Sequence, residues 1–182
     1  MATQGCPCGQ SGSSDSSRKP CRCSEGQKHR YLNRISGPLM DRFDLHVHVS
    51  SVALEDLEGH GGGETSADIR RRVVKARMIQ AKRQGPTLCN AALCPEDINR
   101  WCRPDGAGQI TLRKAFRKMG LSARAYHRVL KVARTIADLA DGDGAGANAD
   151  SGVRGSEAAR TLTIGPEPIL EALQYRQVDR VE

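Results

Sequence analysis

Seven cysteines offer the most chemistry in this chain, and four of them are grouped. Cys6-Pro7-Cys8-Gly9 and Cys21-Arg22-Cys23 form two Cys-x-Cys pairs separated by twelve residues. Four thiolates fill a tetrahedral zinc site, and the binding energy can order a segment that has no core of its own. Residues 1–24 are such a segment, rich in Cys, Ser and Gly and nearly free of aliphatic side chains. The spacing therefore predicts Zn2+ on Cys6, Cys8, Cys21 and Cys23; the alternative is four unliganded thiols in an unfolded tail. Cys89, Cys94 and Cys102 lie in helical context and read as core cysteines. His46 and His48 share one side of an alternating stretch and read as solvent- or domain-facing side chains rather than ligands.

Charge is the second chemical signal. The 182 residues carry 28 Lys+Arg and 21 Asp+Glu, a net of +7. Residues 65–134 hold 17 of the basic and 4 of the acidic side chains, a local balance of +13. Such a block suits a polyanion, either nucleic acid or nucleotide phosphate. Only six aromatic residues are present, which argues against a base-stacking platform and a large aromatic core. No run approaches the roughly 18 apolar residues of a membrane span, and the N-terminus has no apolar signal region. Clustered thiols without an export signal predict a cytoplasmic, reducing environment with no membrane partner. There is no G-x-x-x-x-G-K-[ST] loop, no hydrophobic strand ending in paired acids and no nucleophile elbow. Nothing in the chain can cradle a triphosphate unaided.

The elements that must position these groups are mostly helices. A polar stretch, Glu25–Arg34, leads through Ile35-Ser36-Gly37-Pro38 to Asp44–Val49, where Leu45, Val47 and Val49 alternate with the histidines like a half-buried strand. Thr65 or Ser66 can cap a helix to about Gln84, with Ile69, Val73, Val74, Ala76, Met78 and Ala81 as a broad apolar stripe. Pro95 opens a short helix through Trp101, and Thr111–Met119 reads as another. The clearest helix is Ser122–Ala140, with Ala125, Val129, Val132, Ile136 and Leu139 on one stripe and Arg124, Arg128 and Lys131 on a basic one. Leu121 and Tyr126 sit where a hydrophobic staple would place them. Residues 141–157 read as a flexible Gly/Ala/Asp-rich linker, and a last helix covers about Pro166–Arg176.

Ser36-Gly37-Pro38-Leu39-Met40-Asp41-Arg42-Phe43-Asp44 resembles the segment before the last core strand of AAA+ magnesium chelatases and MCM-type helicases. The upstream CPCG…CRC cluster narrows the resemblance to the ComM/YifB family of magnesium-chelatase-like competence proteins. Ser122–Leu139 and Glu171-Ala-Leu-Gln-Tyr-Arg look like that family's lid domain. Gln4-Gly5 stands where members read Asn-Pro.

The resemblance implies an α/β remnant plus a mainly α part. Residues 1–58 would be the C-terminal remnant of an AAA+ ATPase core, with a zinc-binding insertion at 6–23 and an arginine-finger segment at 35–49. Residues 59–182 would be an α-helical lid domain of the magnesium-chelatase C-terminal type. In such proteins Arg42 would be an arginine finger acting in trans, and Arg124 a sensor-2 arginine on the ATP phosphates of its own subunit. ATP and Mg2+ would be cofactors of the full-length protein, whose like subunits would form a hexameric ring that remodels DNA by helicase action or branch migration. The chain alone, without Walker motifs, would be inactive. The bland reading of Arg42 is an ion pair with Asp41 or Asp44. The alternative for the whole is a non-enzymatic, zinc-containing nucleic-acid-binding module.

Overall fold

A computed structural model describes residues 2–11, 19–49, 52, 63–142 and 163–176. The chain divides into two units, Met1–Gly63 with Asp179–Glu182, and Glu64–Val178.

In the first unit two helices are present, α1 (Glu25–Leu32) and α2 (Gly37–Met40). Ser24 starts α1 with a reciprocal capping box: its hydroxyl accepts from the Gln27 amide, while the Gln27 side chain accepts from the Ser24 amide. Neither helix buries a residue, and Cys6 is the one buried side chain among the described residues of this unit. The expected strand Asp44–Val49 does not form: residues 45–49 are irregular, and Leu45, Val47 and Val49 are exposed. No described segment pairs with them, and alternation becomes a strand only when a neighbour completes its hydrogen-bond ladder.

The second unit is helical around one core. Its elements are α3 (Ser66–Gln84), a 3-10 turn at Asn90–Ala92, α4 (Pro95–Trp101), β1 (Arg103–Pro104), α5 (Gly106–Met119), α6 (Ala123–Gly142), β2 (Thr163–Ile164) and α7 (Pro166–Gln174). Most starts follow the sequence. Thr65 caps α3 at the Asp68 amide, Asp105 caps α5 at the Gly108 amide, and Ser122 accepts from the Ala125 amide at the head of α6. Helix α5 thus begins at Gly106, five residues before the expected Thr111, because Asp105 is the cap.

Strands β1 and β2 pair in parallel, Arg103 opposite Thr163 and Pro104 opposite Ile164. This two-residue ladder, together with the Asp105 amide donating to the Ile164 carbonyl (3.0 Å), ties the head of α5 to the head of α7. The approach is close: a Cβ on Gly108 would lie 2.8 Å from both the Ile164 carbonyl oxygen and the Ile169 Cδ1. Around that seam Leu93, Ile98, Cys102, Leu112, Val129, Leu130, Ala133, Ile164, Ile169, Ala172 and Leu173 form the core.

Two expectations are corrected here. The stripe of α6 is rotated: Leu130 and Ala133 are buried with Ala125 and Val129, whereas Val132, Ile136 and Leu139 are half-buried. Helix α3 buries little of its apolar stripe: Ala76 is buried together with Gln80, but Ile69, Val73, Val74 and Met78 are all exposed. Helix α3 is pinned to α6 by polar side chains instead. Arg83 grips Asp138 with both terminal nitrogens (2.7 and 2.8 Å), Arg134 donates from Nε to the same carboxylate (2.9 Å), and Asn90 donates from Nδ2 (2.8 Å). The carboxylate is fully buried. Burial pushes the Asp138 pKa up, but the Arg83 hydrogen bonds, the Arg134 charge and the Asn90 amide outweigh it, and the net direction is down. Asp141, 3.7 Å from Arg134, balances the second guanidinium. Of the expected 141–157 linker, Asp141 and Gly142 finish α6, and the rest lies outside the described residues.

Candidate functional site

The four clustered cysteines come together. Sγ of Cys6, Cys8, Cys21 and Cys23 all lie within 4.8 Å of one another. Three of the separations are 3.3 Å (Cys6–Cys8), 3.7 Å (Cys6–Cys21) and 3.6 Å (Cys8–Cys21). A tetrahedron with metal–sulfur bonds of about 2.3 Å has sulfur–sulfur edges of about 3.8 Å, so the donor set has the size of a metal site. All seven cysteines are free thiols.

Local structure explains the convergence. Residues 6–9 make a turn closed by the Gly9 amide on the Cys6 carbonyl, with Gly9 at φ 75°, and the Ser11 amide donates to Cys6 Sγ (3.3 Å). The Ser24 cap of α1 follows directly on Cys23, fixing where the second pair ends. Electrostatics make the thiols unequal. Burial pushes Cys6 up, yet hydrogen bonds from Cys8, the Ser11 amide and Cys21 prevail and bring it down to about 6. Hydrogen bonding to Cys8 is the foremost cause pushing Cys23 up, to about 11. Four thiolates this close repel one another, so the cluster can shed all its protons only around a cation. The four cysteines could hold a metal ion.

The remaining cysteines divide. Cys102 is core, and burial raises its pKa to about 11; Cys89 is half-buried. Cys94 is an exposed residue at the head of α4, its thiol 3.1 Å from Asp97, which corrects the expectation of a core position. His46 contacts the Met40 carbonyl through Nε2 (3.2 Å), and neither it nor His48 joins the thiol cluster.

The two arginines singled out in the sequence lie in different units. Arg42 follows α2 in a turn, its amide donating to the Leu39 carbonyl (3.0 Å), with its side chain exposed. Arg124 is exposed in the first turn of α6, just after the Ser122 cap.

Comparison with known proteins fits this division. Residues 1–57 match the family described as magnesium chelatase, subunit ChlI, and residues 63–149 match magnesium chelatase, subunit ChlI C-terminal. Competence protein ComM of Haemophilus influenzae is 50% identical over 119 residues, covering 65% of this chain and 23% of that protein. The chain belongs to the magnesium-chelatase-like ComM/YifB family. YifB of Escherichia coli, whose function is uncharacterised, is 36% identical over 161 residues, 88% of this chain and 28% of its own length. YifB of Salmonella typhimurium is 35% identical over the same length. The chain thus spans about a quarter of the length of the curated relatives it matches. Its second unit is a magnesium-chelatase C-terminal domain, mostly helical with a small two-stranded sheet. Among the described residues no helix is long and apolar enough to cross a membrane.

One feature escaped the sequence reading. The Arg83–Asp138–Arg134–Asn90 network joins the end of α3 and the nearby Asn90 turn to α6, 48 to 55 residues further along the chain, and its only local signal is the Arg134/Asp138 pair four residues apart on the buried side of α6.

Proposed function

We propose that the chain is the C-terminal part of an AAA+ ATPase that couples ATP hydrolysis to remodelling of DNA, in the manner of a helicase or branch-migration motor. The supporting observation is the combination, within one chain, of an exposed Arg42 in the same unit as a four-thiol cluster and an exposed Arg124 opening the long helix of a magnesium-chelatase C-terminal domain. Residues 1–58 are the end of the ATPase core carrying a zinc-binding insertion, and the helical unit is the lid. Arg42 reaches the γ-phosphate held by the adjoining subunit of a hexameric ring. Its planar, permanently charged guanidinium steadies charge developing on the transferring phosphoryl group. Arg124 meets the phosphates of its own subunit's nucleotide. ATP and Mg2+ are held by parts of the full-length protein that this chain does not contain.

Cys6, Cys8, Cys21 and Cys23 hold Zn2+, which suits an all-sulfur tetrahedral set. Bound there, the ion supplies cross-links rather than reactivity, because all four positions are filled by protein. The thiols orient the turn at 6–9 against the start of α1.

The test is a chimera in which this chain replaces the matching segment of Haemophilus influenzae ComM. ATP hydrolysis stimulated by branched DNA is expected, and Arg42→Ala should cut turnover about 10³- to 10⁵-fold while nucleotide binding survives. Combining either arginine lesion with an inactive phosphate loop on one subunit, and mixing with wild type, separates trans from cis. The Arg42 double mutant damages two interfaces and should inhibit more than the Arg124 double mutant. Normal turnover by a folded, nucleotide-binding Arg42→Ala chimera would refute the proposal.

A further inference from the structure

Helices α5 and α6 enclose an open groove of about 340 Å³, lined by Arg113, Phe116, Arg117, Ala123, Tyr126 and His127. Three of the chain's few rings meet there. Phe116 and Tyr126 stand edge to face, with centroids 5.9 Å apart and planes at 84°, and the His127 ring lies 6.0 Å from Tyr126. Phe116 remains 39% exposed, so its ring is not consumed by the core. Arg113 and Arg117 are exposed on the same helix face, one turn or about 6 Å apart along the axis. Neither makes an ion pair among the described residues. The surrounding charge is one-sided, for residues 106–137 contain eight Lys/Arg and no Asp or Glu. Arg124 is not itself part of the lining, although it directly follows Ala123, which is.

We infer that this groove binds single-stranded DNA, with a base against the Phe116 and Tyr126 rings and successive phosphates on Arg113 and Arg117. Flat rings beside unpaired guanidinium groups match a strand whose bases are free to stack and whose backbone is a chain of anions. A duplex keeps its bases inside, and an acidic peptide offers charge without a flat face. The choice of DNA over RNA rests on the proposed function; the groove itself rests on the geometry. Aromatic composition alone argued against a stacking platform, but the rings converge although they are few.

The experiment measures binding of the intact 182-residue chain to a labelled oligothymidylate by fluorescence anisotropy across a salt series, without ATP. Phe116→Leu with Tyr126→Leu should weaken binding roughly 5- to 100-fold and leave the salt slope unchanged. Arg113→Gln with Arg117→Gln should lower the slope of log affinity against log salt by about 1.4, or about 0.7 for each phosphate left without its arginine. Arg70→Gln with Lys82→Gln removes two charges from exposed positions of α3 and should change both readings far less. Thermal melting checks each variant. If the Tyr126 change unfolds the unit, Phe116→Leu alone, at an exposed ring, carries the stacking arm. The inference is overturned if the chain does not bind the strand, or if the ring variants bind like wild type. It is equally overturned if the α3 variant loses as much slope, or if duplex DNA, oligouridylate or polyglutamate binds as tightly as oligothymidylate. Since no ATP is present, failure here leaves the chimera's hydrolysis standing, and failure of hydrolysis leaves this binding standing.

Discussion

Asp138→Asn should be the most damaging conservative substitution in the helical unit. The change keeps side-chain volume and one acceptor oxygen but removes the charge that two buried guanidinium groups share. Four hydrogen bonds of 2.7–2.9 Å converge on this carboxylate from Arg83, Arg134 and Asn90, and the pairs with Arg83 and Arg134 lie almost wholly out of water. Removing one member of a buried ion pair costs about 3–5 kcal/mol, because the partners stay buried without compensation. At about 4 °C per kcal/mol for a unit of this size, Tm should fall by about 12–20 °C. Thermal unfolding followed by circular dichroism measures it. The pH dependence has a fixed sign. A carboxyl held below its ordinary value when folded contributes its full stability above the unfolded pKa, about 3.9, and loses it as pH falls through the lower folded value. The gap between wild type and Asp138→Asn should therefore be constant from about pH 7 to about 5 and close in acid. Replacing Arg83, Arg134 and Asp138 together with apolar residues of similar size should recover most of the loss. A Tm change below about 4 °C for Asp138→Asn alone would refute the reasoning.

Three further outcomes are expected. Purified chain should carry about one zinc per molecule by elemental analysis, and Cys21→Ser with Cys23→Ser should abolish it; equal zinc in both would refute the assignment of these thiols. The chain by itself should show no ATP hydrolysis above background, and turnover that survives purification and disappears with Arg124→Ala would contradict the proposed division of labour. Gly108→Ala should destabilise the helical unit by about 1–3 kcal/mol in urea unfolding, since the new methyl meets a carbonyl oxygen and Ile169 at 2.8 Å; an unchanged midpoint would show that α5 can shift.

Helix starts were legible because their signals are local. Thr65 and Ser122 each bond an amide three residues on, and Pro95 and Pro166 stand in the first turns of α4 and α7; the exception is α5, whose Asp105 cap was passed over for Thr111. The thiol cluster was legible for the same reason, as two short pairs. What escaped depends on distant partners. Arg103 and Thr163 are sixty residues apart, and nothing in either dipeptide announces a ladder. Asp44–Val49 has the alternation of a strand without a described neighbour to pair with. The face of α3 was misjudged because Arg83, a charged residue, does the anchoring that hydrophobic periodicity assigns to Ile69 and Val73. The aromatic groove was hidden by counting rings over the whole chain, when the separation that matters is between Phe116 and Tyr126 in space.

The two units are held by different kinds of cohesion, and heat should report the difference. Among the described residues of the first unit only Cys6 is buried, so melting that described part exposes little new apolar surface to water. The heat-capacity step of unfolding scales with apolar area exposed, and so does sensitivity to urea. Calorimetry of the chain should thus yield a step belonging almost wholly to the helical unit. Loss of the first unit should be seen instead by a thiol reagent, which reaches the four clustered cysteines. A mild oxidant should consume the four clustered thiols while leaving the melting curve nearly as it was.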